Sequence, residues 1–188
     1  MNPMRGLRNF FRKGDIVLLG LCLLASAVGL VLIYSATHYL DDTSFVIKQA
    51  AFVCVGVVLY VIMTFVDIEY LMEKWWWVFL LLGIGIILLI IPFGVDDGTG
   101  NESWIFFPGI PVGIQPGEIA KLAFVVVMAW LINHERQKGI GRFSSIVKYL
   151  ILTGVFAGML AVLSGDFGMM LVYLFLFVIM AWVGGVSQ

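Results

Sequence analysis

The sequence predicts an all-α fold: a polytopic transmembrane bundle of six helices with its N-terminus in the cytoplasm. Three observations predict it. Hydrophobic residues make up 62% of the chain and charged residues 12%, with a mean hydropathy of +1.06, whereas soluble domains run near about half apolar and about a quarter charged. The apolar residues fall into six separate runs of membrane-spanning length. The positive residues gather in alternate connections between those runs. Such a composition excludes a soluble enzyme, a disordered tail and a secreted disulfide scaffold, because the apolar surface could not be covered in water. A net charge of −1 supplies no basic field for nucleic acid.

The six runs cover roughly 16–34, 46–66, 75–91, 116–132, 146–163 and 167–183 of a single membrane domain. At about 1.5 Å per residue each crosses most or all of a hydrocarbon core about 30 Å thick. The first run follows Arg5, Arg8, Arg12 and Lys13, the flank of a secretory signal, but it is longer than the roughly 7–15 apolar residues of a cleaved one. It reads as a retained helix. Cys22 and Cys54 lie within the first two runs and read as small hydrophobes. Trp75, Trp76 and Trp77 beside Lys74 form an interfacial aromatic belt at the start of the third.

The connection from Phe93 to Gln115 combines Gly94, Gly98, Gly100, Gly109 and Gly113 with Pro108 and Pro111, which excludes a regular helix. Its Trp104, Ile105, Phe106, Phe107 and Ile110 are too apolar for a freely solvated loop. It is expected to dip into the outer leaflet or pack over the bundle. His38 and His134 fall in connections on opposite faces, so no metal site follows, and no cofactor motif is present.

Nine of the eleven Lys and Arg residues sit before the first run or in the second and fourth connections, counting Lys148 at the start of the fifth run, and the first, third and fifth connections carry none. The positive-inside rule therefore places the N-terminus in the cytoplasm. Asp41, Asp42, Asp96, Asp97 and Glu102 then lie outside.

Ionisable groups inside or at the edge of hydrocarbon cost about 2.5–3.5 kcal/mol at a helix centre. Lys48, Glu118, Lys121 and Asp166 are such groups. Glu118 and Lys121 share one face of the fourth helix just after Pro116, so they read either as an ion pair fixing the helix start or as the polar wall of an outward cavity for a charged substrate. Asp166, in the short turn Ser164-Gly165-Asp166-Phe167-Gly168, reads either as the cap of the sixth helix or as part of that cavity. Lys48 either snorkels to the interface or partners Glu118 or an anionic headgroup.

Gln115-Pro116-Gly117-Glu118-Ile119-Ala120-Lys121-Leu122 resembles the QPSEIAKL motif of the SEDS family (shape, elongation, division and sporulation), which includes RodA, FtsW and SpoVE. Ile33-Tyr34-Ser35-Ala36, Lys48-Gln49, the stretch from Gly100 to Trp104, and Asp166-Phe167-Gly168 extend the likeness over the whole chain. The resemblance implies a glycosyltransferase of the bacterial plasma membrane that polymerises lipid II, the undecaprenyl-diphosphate-linked precursor, into peptidoglycan during cell-shape maintenance or division. It implies a class B penicillin-binding protein as partner, and substrate-cavity roles for Glu118, Lys121, Asp166, Lys48 and Trp104. The catalytic base is not assigned.

Three positions depart from the family pattern. Ser103 stands where the family has an Arg before the Trp, Gly117 replaces the motif Ser, and Gly165-Asp166-Phe167-Gly168-Met169 replaces Pro-Asp-x-Gly-Thr. Because the family has about ten transmembrane helices, with its proposed catalytic Asp in an outer loop after the seventh, six runs read as the N-terminal part of such a protein, inactive alone. A lipid II flippase and a non-catalytic scaffold of the division or elongation complex are the alternative readings.

The topology is testable with single cysteines in a chain freed of Cys22 and Cys54. Asp42→Cys and Gly98→Cys should react with an impermeant thiol reagent added to intact cells, and Gly139→Cys should react only after lysis. Labelling of Gly139→Cys in intact cells would reverse the orientation.

Overall fold

A computed structural model describes residues 15–38, 43–96, 98, 100–106, 113–136 and 143–185. The N-terminal basic residues, Asp41, Asp42, Asp97, Lys138, Arg142 and the apolar residues Phe107 and Ile110 lie outside the described residues. The chain divides into two compact units, Met1–Asp67 and Ile68–Gln188.

The first unit is a pair of packed helices, α1 (Ile16–Thr37) and α2 (Ser44–Phe65). The Asp15 carboxylate caps α1 by accepting from the Leu18 backbone N–H at 3.0 Å, one of the donors that every helix start leaves free. Tyr60 of α2 donates its hydroxyl to the Asp15 carbonyl at 2.7 Å, tying the two helices together. Neither helix buries a residue. They are apolar on all sides, as helices surrounded by lipid or by further protein must be. Their hydroxyls turn back on their own backbone: Ser26 donates to the Cys22 carbonyl, Thr37 to Ile33 and Thr64 to Tyr60.

The second unit contains α3 (Ile68–Leu88), the single turn α4 (Ile90–Phe93), a two-stranded antiparallel ribbon of β1 (Ile105–Phe106) and β2 (Gly113–Ile114), then α5 (Pro116–Arg136), α6 (Phe143–Leu163) and α7 (Phe167–Val183). Helix α3 starts seven residues before the apolar run that marks it, because Glu69, Glu73 and Lys74 are good helix formers that hydropathy does not count. Trp75 breaks its regularity, with φ −124° and ψ 16°. Trp75 and Trp77 face outward as the aromatic belt requires, whereas Trp76 stacks on Trp130 of α5 at 4.3 Å.

Helix α5 organises this unit. Ala120, Phe124, Met128 and Ile132 recur every fourth residue and form a buried stripe, the spacing that puts residues on one helical face. Phe124 meets Phe156 of α6 at 5.5 Å and Tyr173 of α7 at 5.0 Å, and those two lie 6.0 Å apart, so one aromatic cluster joins three helices. Ile87, Leu160 and Met169 close around it.

Among the described residues, five helical segments are long and apolar enough to cross a membrane. Helix α7, with 17 residues, reaches about 25 Å and is apolar throughout. The described part of the long connection packs over the bundle. Ser103 and Ile105 are buried, Val95 bridges to Trp104, and the Glu102 N–H donates to the Ser164 carbonyl at 3.1 Å.

Helices α3 and α5 meet at Gly83. A Cβ there would lie 2.9 Å from Ala123 Cβ and 2.9 Å from Phe156 Cε1, whereas one at Gly85 would meet nothing within 4 Å. Small residues permit such close approach between membrane helices. Gly83→Ala should therefore destabilise the protein by about 1–3 kcal/mol through overpacking, and Gly85→Ala should leave stability unchanged or raised. Unfolding in detergent, followed by tryptophan fluorescence, checks the contrast.

Candidate functional site

The site grows from the first turns of α5. Pro116 is buried at the helix start, where its missing N–H costs nothing and its fixed φ suits the helix. Glu118 follows within the first turn, near the positive end of the helix dipole. One turn later Lys121 Nζ donates to Glu118 Oε1 at 2.8 Å. The pair is unequally covered, with the Lys121 side chain 22% exposed and that of Glu118 56%. Glu118 lies about 3 Å and Lys121 about 8 Å along the axis from the helix start, so the charges stay near one end of the bundle.

Two contacts fix this end of α5 against α7. Tyr173, fully buried, donates its hydroxyl to the Gly117 carbonyl at 2.9 Å. Gly117 itself has little spare room, since a Cβ would lie 3.1 Å from Met169 Cγ and 3.2 Å from Leu160 Cδ2. The glycine at the position of the motif serine is thus matched to its surroundings.

Asp166 occupies the turn between α6 and α7. Gly165 before it has φ +69°, a left-handed conformation that glycine adopts without strain. Oδ1 of Asp166 accepts from the Met169 N–H at 2.8 Å and caps α7. Oδ2 accepts from Gln115 Nε2 at 3.1 Å and from Ser103 Oγ at 3.3 Å. One oxygen of this carboxylate caps α7, as the sequence allows, and the other gathers two polar side chains from distant segments. All three donors are neutral.

Trp104 lies half-buried beside this cluster in the chain, stacked on Phe106 at 6.5 Å. Lys48 belongs to the first unit, where it is exposed with Nζ 5.9 Å from the Phe45 ring, the disposition expected of a snorkelling lysine. Among the described residues no group of three potential metal ligands occurs.

A second charged cluster went unnoticed in the sequence. Glu135, 4% exposed, accepts from Ser145 Oγ at 2.9 Å and from Lys148 Nζ at 2.9 Å. The signal was present: Glu135 follows Ile132 by three residues on the stripe that begins at Ala120. Its setting in His134-Glu135-Arg136 makes it look solvated. Gln115 and Ser103, the partners of Asp166, carried no comparable signal, because nothing local in the chain pairs them with a turn more than fifty residues away.

The pattern of the cell cycle proteins FtsW, RodA and SpoVE matches residues 15–188. The chain belongs to this family. Among its members, a probable peptidoglycan glycosyltransferase FtsW of Geobacter sp. (strain M18) is 28% identical over 179 residues, which cover 91% of this chain and 47% of the relative. That of Nitrosococcus halophilus (strain Nc4) is 29% identical over 181 residues, covering 91% and 45%. The crystal structure of the rod shape determining protein RodA of Thermus thermophilus superposes with a TM-score of 0.75 at 25% identity, over 92% of this chain and 54% of RodA. A chain of a peptidoglycan synthase complex shares the fold, with a TM-score of 0.76 at 24% identity, over 94% of this chain and 49% of that one. The chain thus spans about half the length of the family members it matches. Like them it is a multi-pass membrane protein.

Two ion pairs among the described residues, Glu118–Lys121 and Glu135–Lys148, differ in what their loss should do. Lys148→Met removes a charge-assisted bond to a buried carboxylate and should cost about 1.5–3 kcal/mol of stability. Glu118→Gln combined with Lys121→Met removes an exposed pair and should cost less than about 1 kcal/mol. Unfolding of the two variants side by side tests whether Glu118 and Lys121 are dispensable for folding.

Proposed function

We propose that the chain supplies the diphosphate-binding part of a peptidoglycan glycosyltransferase in the bacterial plasma membrane, with its N-terminus in the cytoplasm and the start of α5 facing outward. Lipid II is the substrate and a class B penicillin-binding protein the partner. The observation that carries this reading is the Lys121–Glu118 pair, open at the start of α5, in a chain whose relatives are named peptidoglycan glycosyltransferase FtsW.

The reaction such a protein performs joins a sugar hydroxyl to the anomeric carbon of a lipid-linked donor. The bond from that carbon to the diphosphate oxygen breaks, and the hydroxyl proton passes to a base. Negative charge gathers on the departing diphosphate, so a fixed cation beside it lowers the barrier. Lys121 is the group suited to that task. Its present partner does not hold it tightly, because an exposed ion pair contributes about 0–1 kcal/mol. A diphosphate, with more charge and more acceptor oxygens than one carboxylate, displaces Glu118 from the ammonium. The positive end of the α5 dipole lies at the same end of the helix and adds to the attraction. Glu118 holds the ammonium in place while the site is empty.

Lys121→Met should weaken binding of lipid II to the chain in liposomes about tenfold, corresponding to ~1.4 kcal/mol. Glu118→Gln, which removes the competing carboxylate, should leave binding unchanged or tighter. Parental affinity in Lys121→Met would remove Lys121 from the substrate.

A further inference from the structure

We infer that Asp166 is a positioning residue: it clasps the long connection and the start of α5 to the turn before α7, and it acts on the diphosphate site through Gln115. The consequence for substrate rests on the proposed function above, whereas the clasp itself does not.

The carboxylate is already occupied. Oδ1 holds the Met169 N–H, and Oδ2 holds both Gln115 Nε2 and Ser103 Oγ. With two acceptor positions on each oxygen, little of the group remains for a ligand. What the carboxylate holds is informative. Gln115 immediately precedes Pro116, and the residue before a proline is already confined to extended geometry. Tying its side chain to Asp166 removes the remaining freedom of the chain as it enters α5. The Glu118 N–H donates to the Gln115 carbonyl at 3.0 Å, so the anchored residue is hydrogen-bonded to the first member of the ion pair.

The long connection is held at the same turn by independent contacts. Ser103 reaches Oδ2, the Glu102 N–H reaches the Ser164 carbonyl, and the space over Gly165 is closed by Asn101 Oδ1, 3.4 Å from where a Cβ would be. One carboxylate therefore joins three segments: the connection at Ser103, the start of α5 at Gln115 and the start of α7 at Met169. The Lys121 and Glu118 side chains lie at the same end of α5, bonded to each other and not to the Asp166 carboxylate.

The test exchanges acceptor and donor across the clasp. In a chain carrying Cys22→Ser, Cys54→Ser and Ile105→Cys, the reporter thiol sits at a buried position of β1 and its reaction with a water-soluble maleimide in liposomes reads the closure of the connection. Gln115→Glu sets two carboxylates against each other and should raise the labelling rate at least tenfold while weakening lipid II binding. Adding Asp166→Asn restores a donor and an acceptor with their roles reversed, and the Asn carbonyl still caps α7. The double variant should return both labelling and binding to within about threefold of the parent.

An unchanged labelling rate in Gln115→Glu would show that no clasp exists. Labelling restored in the double variant without restored binding would show that the Asp166 charge meets substrate directly, and would overturn the positioning role. Should Gln115→Glu fail to insert, Gln115→Met, which keeps the length and loses the amide, carries the same test: an increased rate supports the clasp and a parental rate removes it. Failure of the parental chain to bind lipid II would count against the proposed function alone, because the labelling rates still decide the clasp.

Discussion

In helices this apolar, each polar group needs a partner supplied by the protein, because the surrounding hydrocarbon offers none. That constraint shapes the chain more than any single contact. Ser26, Thr37, Thr64, Thr153 and Ser164 satisfy it locally, each donating to the carbonyl four residues earlier. Such bonds need no second helix, which is why hydroxyls are tolerated even in α1 and α2, where nothing is buried. Tyr173, the second oxygen of Asp166 and Glu135 instead reach partners on other segments. Their partners are Gly117, Gln115 with Ser103, and Ser145 with Lys148. The apolar surfaces bring α5, α6 and α7 together with little directional preference. These few long-range hydrogen bonds decide how the helices are registered.

The same constraint separates the two ion pairs on α5. Glu135 is 4% exposed and depends on Lys148 and Ser145 for its charge to remain inside the protein. Such an arrangement is weak evidence for anything beyond structure, since removal of either partner strands a buried charge. Glu118 is exposed and, among the described residues, its carboxylate pairs with Lys121, so folding gains little from it. A charged pair that folding does not need, placed at the start of a membrane helix, is the better candidate for meeting a charged ligand. Burial, which commonly marks an active site in a soluble enzyme, here marks the structural pair.

Much of this architecture is legible in the chain because hydropathy sums over neighbouring residues. The run from Phe167 to Val183 coincides with α7, and Pro116 marks the start of α5. The onset of α3 escapes it, since Glu69, Glu73 and Lys74 are helical without being apolar. The Glu118–Lys121 pair is legible because helical geometry alone makes it. The partners of Asp166 are not, for they come from the connection and from α5, 63 and 51 residues away. Glu135 falls between these cases: its place on the stripe of Ala120, Phe124, Met128 and Ile132 shows burial, but its flanking His134 and Arg136 hide it. Local rules find helices and pairs along one helix; contacts that depend on which helices pack together need the fold.

The departures from the SEDS motifs become coherent in the folded chain. Gly117 stands for the motif serine and Met169 for the threonine of Pro-Asp-x-Gly-Thr, and these two positions touch: a Cβ at residue 117 would lie 3.1 Å from Met169 Cγ. In this chain a small residue on α5 faces a large one on α7 across one packing contact. Gly165 replaces the proline of the same motif and adopts φ +69°, which a proline ring fixed near about −65° forbids. Just before this turn the Ser164 carbonyl accepts from the Glu102 N–H. Ser103, in place of the arginine, then has its hydroxyl 3.3 Å from Asp166 Oδ2. A guanidinium so placed would neutralise the carboxylate; a hydroxyl leaves its charge intact, to be met by the amide of Gln115 and the N–H of Met169. The substitutions thus converge on one junction, and each is explained by the others rather than by its own loss.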